Sequence, residues 1–183
     1  MKENRVVDQP REVIETRDLL SNPVERELSR RVEQNWVLTI DGTAEKAVLK
    51  LGRSYTGIQR PKGYRKGKAR RCFFNAGDLA AQELGIYVEG FAFPTLGSRP
   101  IHHAWITLDG VHAVDVTWDS APDCAYFGIA FSGRVVRRWA CREGYWEPLL
   151  GRDDAETFAM LEQARQHPPV FNSSEASCGR APR

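Results

Sequence analysis

The sequence sets a cysteine directly behind two arginines, at the start of a helical run, in RRCFFNAGDLAAQELG (residues 70–85). The thiolate is the reactive form of cysteine, and helix N-termini and nearby cations stabilise it. Cys72 has both influences at hand: the unpaired N–H groups of its helix and the side chains of Arg70 and Arg71. A thiol nucleophile also needs an imidazole to share its proton and an acceptor to orient that imidazole. The stretch HHAWITLDGVHAVDVTW (102–118) offers both, in His103 and Asp115, on two strand-like runs hinged at Asp109-Gly110.

Which face each side chain takes depends on the hinge. A three-residue loop, Leu108-Asp109-Gly110 with Gly110 left-handed, pairs 107 with 111, 105 with 113 and 103 with 115. His103 then lies directly opposite Asp115, with Cβ atoms about 4.5–5.5 Å apart. A two-residue Asp-Gly turn sends the two to opposite faces. The sequence permits either.

The ordered set carries a resemblance. Cys72 opens a helix, and LGI (84–86), YVEGF (87–91), HAW (103–105) and DVT (115–117) follow in that order. The separations are 31 residues from Cys72 to His103 (103−72) and 12 from His103 to Asp115 (115−103). This pattern, over about residues 70–118, resembles the transglutaminase-like branch of the papain-like cysteine enzymes. Within that branch it is similar to small bacterial and phage proteins with CxxNA, YVEG, HAW and YFG elements. The resemblance implies an α+β fold in which an antiparallel sheet packs on the helix bearing the cysteine. It implies an acyl-transfer enzyme (peptidase, amidase or transglutaminase-type) acting on a protein or peptide through a thioacyl intermediate. Cys72 is then the nucleophile, His103 the general base and acid, and Asp115 the group that orients His103. The chain departs from many relatives in having Val116 where they have proline. Gln59 and Tyr64 are the candidates for an oxyanion-stabilising side chain, and Trp105 for a wall of the substrate site. The backbone N–H of Cys72 is a further oxyanion donor.

Other elements must position these residues. Asn22 caps a helix starting at Pro23, after a shorter helical run carrying Val13, Ile14, Leu19 and Leu20. WVLTI (36–40) is a strand, and TAEKAVLKLG (43–52) a helix capped by Thr43. Residues 52–71, rich in glycine and basic residues, form a loop. A helix runs from Cys72 to Leu84 with Gly85 as its stop. Strands follow at 86–93, 102–108, 111–118 and 126–131, and a helix at 153–165. The organisation is a helical segment (1–34), one catalytic domain (35–168) and an unfolded tail (169–183).

Bulk properties narrow the function classes. The chain of 183 residues carries a formal charge of +2 and no apolar run long enough to span a bilayer. It begins without the apolar core of a secretory signal, which reads as a cytoplasmic protein. Cys72, Cys124, Cys141 and Cys178 lie far apart, without the paired spacing of a zinc site or a disulfide framework, so neither metal nor cofactor is expected. His102 points away from His103, His112 and His167 read as solvated, and Asp119 is the rival to Asp115. The run Arg60, Lys62, Arg65, Lys66, Lys68, Arg70 and Arg71 suits nucleic acid or an acidic substrate. The alternative to an enzyme is a silent transglutaminase-like adaptor that uses this loop on an acidic partner.

Overall fold

A computed structural model describes residues 22–33, 41–94, 99–143, 147–150 and 155–166. The elements in chain order are α1 (Pro23–Glu33), α2 (Asp41–Leu51), β1 (Arg53–Ile58), α3 (Cys72–Ala81), β2 (Ile86–Phe93), β3 (Ile101–Thr107), β4 (His112–Val114), a 3-10 turn (Ala121–Asp123), β5 (Ala125–Phe131), α4 (Gly133–Glu143) and α5 (Ala155–Gln166). The molecule is mixed α+β, and its five strands close into a barrel in the order β1-β4-β3-β2-β5. The expected antiparallel sheet is present in β2·β3, β2·β5, β1·β5 and β3·β4, but β1 pairs with β4 in parallel, Thr56 to His112 through Ile58 to Val114. That parallel pair joins residues far apart in sequence and closes the barrel.

Alternation along the strands sorts the core into two parts. One set fills the barrel, with Tyr55, Val88, Trp105, Tyr126 and Ala130 packed together. The other set, including Tyr87, Ile106, Phe127, Ile129 and Phe131, packs outward against helices. Val24 and Leu28 of α1 and Val48 of α2 are fully buried in that outer layer, as are Ala76 and nearly all of Ala80 on α3. The small residues of α3 let it lie close on β3 and β2. Asn22 caps α1 as expected: its Oδ1 accepts from Val24 N at 2.8 Å, while its Nδ2 donates to the Tyr126 carbonyl at 2.9 Å.

Several expectations need correction. The stretch 52–71 is not all loop, since its first part is β1; Tyr55 and Gly57 are buried on either side of the exposed Thr56, a two-residue alternation hidden among basic and glycine residues. The Cys72 helix stops at Ala81, not Leu84. Glu83, at φ 61°, takes the left-handed stop position expected of Gly85. Glu83 N donates to Ala80 O at 3.1 Å and Leu84 N to Leu79 O at 2.9 Å, the paired bonds that close a helix C-terminus. Gly85 serves close packing instead: a Cβ there would sit 2.7 Å from Ile106 Cδ1.

The hairpin also differs. Gly110 is left-handed as expected, at φ 79°, but Ile106 pairs with Val114, a register two residues removed from the expected one. Asp109 explains the longer loop. Its Oδ1 accepts from Val111 N at 2.9 Å and His112 N at 2.8 Å, so these amides are unavailable to β3. The Val111 carbonyl turns instead to Thr56 N of β1. His112 is not simply solvated, since its Nδ1 lies 2.5 Å from Asp109 Oδ2. The expected 111–118 strand ends at Val114. The helix at Gly133–Glu143 had no counterpart in the expectations. The short run at 11–20, the WVLTI strand, His167, Cys178 and the tail lie outside the described residues, as does the side chain of Cys141.

Candidate active site

A slip of two residues preserves side-chain parity, so His103 and Asp115 still share a face despite the changed register. His103 Nε2 lies 2.7 Å from Asp115 Oδ2, with both side chains almost wholly inaccessible. Asp115 is held from several directions. Its Oδ1 accepts from Thr117 N at 2.7 Å and Trp118 N at 3.1 Å. Its Oδ2 also accepts from the Tyr126 hydroxyl at 3.0 Å. The turn these bonds make breaks the strand and carries Trp118 over His103, where the two rings stack with centroids 3.8 Å apart.

Cys72, buried at the start of α3, lies near enough to the imidazole to act on its basicity. With Nε2 committed to Asp115, Nδ1 is the ring nitrogen left for the sulfur. Burial alone would lower the basicity of His103. Hydrogen bonds and charge from Asp115 and Cys72 outweigh it and push the pKa up to about 9. The charged form of the ring is thereby favoured. Tyr126 is also held well above the usual phenol range, mainly by burial and then by the Asp115 charge, so it stays a donor to Asp115.

Asn75, one turn into α3, ties the parts together. Its Nδ2 donates to the Lys68 carbonyl at 2.8 Å and to Thr117 Oγ1 at 3.0 Å, and its Oδ1 accepts from Lys68 N at 3.1 Å. Gly67 N donates to Val116 O at 2.7 Å. The segment before the cysteine is thus fastened both to α3 and to the turn after β4 that bears Asp115. Sequence reasoning quoted Asn75 within CxxNA without assigning it this work, and missed Tyr126. An amide at the fourth position of a helix that begins with a cysteine was the available signal for Asn75. Tyr126, in YFG, carried none.

The remaining candidates are placed less closely. Gln59 is exposed and follows β1, whose pairing of Ile58 with Val114 brings it level with Asp115. Tyr64 spends its hydroxyl on the Leu84 carbonyl at 2.7 Å. Trp105 is fully buried inside the barrel, edge-on to Tyr55 at 5.6 Å. Asp119 is exposed and paired with Arg60 and Lys66, while the imidazole is paired with Asp115. Among the described residues no group of three histidine, cysteine or acidic side chains could hold a metal ion. No helix among them is long and apolar enough to cross a membrane.

No family model matches the chain, and no curated protein or solved structure does either. The likeness to transglutaminase-like enzymes therefore rests on the residues quoted above.

Proposed function

We propose that the protein is a cysteine-dependent acyl-transfer enzyme with a transglutaminase-like, papain-like core. The observation that carries this reading is the buried His103 that Asp115 holds at 2.7 Å, with Cys72 at the start of α3 acting on the same ring. The order of elements supports it too: a cysteine at a helix start, then the strand that supplies the histidine, then the acid directly after β4.

In the proposed reaction the Cys72 thiolate attacks an amide carbonyl carbon of a protein or peptide. The C–S bond forms, and the carbonyl electron pair moves to oxygen. The backbone N–H of Cys72, one of the helix donors without an intrahelical acceptor, stabilises that oxyanion. His103 gives its Nδ1 proton to the leaving amine as the C–N bond breaks, leaving a thioester on Cys72. Water then attacks the thioester while His103 takes its proton, and the C–S bond breaks to release a carboxylic acid. Water is the favoured acceptor because it needs no second binding site; an amine would give transamidation. Asp115 keeps the ring in place and stabilises its charged form throughout. Trp118 covers the ring face and limits its rotation.

Trapping tests the reading. Incubation with a peptide library and rapid acid quench should leave an acyl adduct on Cys72, identified by mass spectrometry. The same treatment of Cys72→Ala should give none. Adducts spread equally over Cys72 and Cys124, or absent from both, would sink the proposal.

A further inference from the structure

Between Glu45 and Asp78 the chain has no acidic residue, and this stretch contains the whole approach to Cys72. Two of its cations are spoken for: Arg60 and Lys66 both pair with Asp119, the residue after the tryptophan that covers His103. Lys62, Arg65, Lys68, Arg70 and Arg71 are all exposed, and none meets a carboxylate among the described residues. These five charges do not hang on a loose segment. Asn75 clamps both backbone groups of Lys68, and Gly67 bonds to Val116. Arg70 takes a left-handed backbone at φ 61°, one residue before the helix cap. A non-glycine residue pays for that conformation, and surroundings that fix it also fix where its neighbours point. The result is a basic rim anchored between Cys72 and the turn after β4 that bears Asp115.

We propose that this rim selects acyl donors carrying acidic side chains beside the amide that Cys72 attacks. The inference rests on the reading of Cys72 as a nucleophile. A polypeptide fits better than a nucleic acid for three reasons. The cations are confined to one short loop, while the net charge of +2 shows that acids elsewhere nearly balance them, so no long basic track is implied. Among the described residues the only exposed large apolar side chains are Ile101 and Val111, so no exposed aromatic ring offers bases a platform. An amide also supplies the carbonyl that a thiolate acylates, which a phosphodiester lacks.

Two alkylating reagents separate the rim from the nucleophile in the full-length protein. Iodoacetamide is neutral, whereas iodoacetate has the same leaving group and adds a carboxylate. The Lys62→Glu/Arg65→Glu/Lys68→Glu variant reverses three rim charges and leaves Cys72, His103 and Asp115 untouched. At low salt the ratio of iodoacetate to iodoacetamide rates at Cys72 should fall in this variant on the order of threefold or more. The iodoacetamide rate should fall less, because a neutral reagent senses the rim only through the thiolate. A short fluorescent glutamate-rich peptide should bind the wild type and lose affinity in the variant, whereas an oligothymidylate of equal length should bind more weakly than the peptide. An unchanged rate ratio, or tighter binding of the oligothymidylate, overturns the inference. Slow alkylation of Cys72 by both reagents, no faster than Cys124, would defeat the nucleophile reading instead, and peptide binding alone would then decide the rim.

Discussion

His102 and His103 are neighbours on β3, face opposite ways, and each meets a buried carboxylate. The two carboxylates are matched partner for partner. Asp115 takes the Tyr126 hydroxyl, the His103 ring and the N–H groups of Thr117 and Trp118. Glu89 takes the Tyr87 hydroxyl at 2.7 Å, the His102 ring at 2.9 Å and the N–H groups of Leu149 and Leu150 at 2.8 Å each. The difference lies in what surrounds them. His103 stacks on Trp118 and is raised in basicity in part by Cys72, while His102 sits between Phe73 and Phe91, with ring centroids 5.1 and 5.2 Å away. The amides of Asp115 come from its own turn; those of Glu89 come from residues 60 and 61 positions further along the chain. A buried histidine–carboxylate pair is thus not in itself a mark of chemistry. On one face it holds a ring that Cys72 also influences, and on the other it tethers a distant stretch of chain to the sheet.

The comparison breaks most sharply in turnover. Against a donor identified by trapping, His103→Ala should lower kcat/KM on the order of 10³-fold or more, and adding Cys72→Ala should make little further difference. His102→Ala should stay within about tenfold of wild type, an effect of looser packing on Phe73 rather than a lost proton carrier. Comparable losses from the two histidines would erase the distinction.

Stability should reverse the ranking. Glu89→Ala strands a buried tyrosine hydroxyl, two buried amides and a half-buried imidazole, and should cost about 3–5 kcal/mol in urea unfolding. Asp115→Asn keeps an oxygen for its two turn amides and should cost about 1–2 kcal/mol. The smallest effect is in pH. Because the folded-state pKa of His103 is raised from 6.5 to about 9, its contribution to stability is complete below 6.5 and fades as pH rises through about 9. Urea midpoints followed across that window should decline in the wild type. His103→Gln should flatten the decline and His102→Gln should leave it; an equal slope in all three would remove His103 as its source.

The parts legible in the sequence are those governed by local chemistry. The Asn22 cap, the start of the Cys72 helix, β2 from Ile86 to Phe93 and the left-handed Gly110 all follow from nearby residues. The candidate His103–Asp115 pairing was legible because it depends on parity, which survives a two-residue shift. The register itself was not, since the carboxylate of Asp109 competes with β3 for the amides of Val111 and His112. Nor was β1, whose polar and basic sequence becomes a strand only through distant pairing with β4 and β5. The Glu89 tether was invisible for the same reason: its partners stand some sixty positions away.

The adjacency of His102 and His103 also bears on heredity. Because side chains alternate along β3, a point substitution there alters one network and leaves the other in place. Loss of a single codon within the strand is a different event. With β3 still paired to β2, every residue beyond the deletion would turn to the opposite face. Deleting Ala104, for example, would put Trp105 and all that follows on the wrong side while both histidines stayed put. Losing two codons would restore the facing and shorten the strand instead. The gene segment for β3 thus has a period of its own, two codons long, laid over the triplet frame.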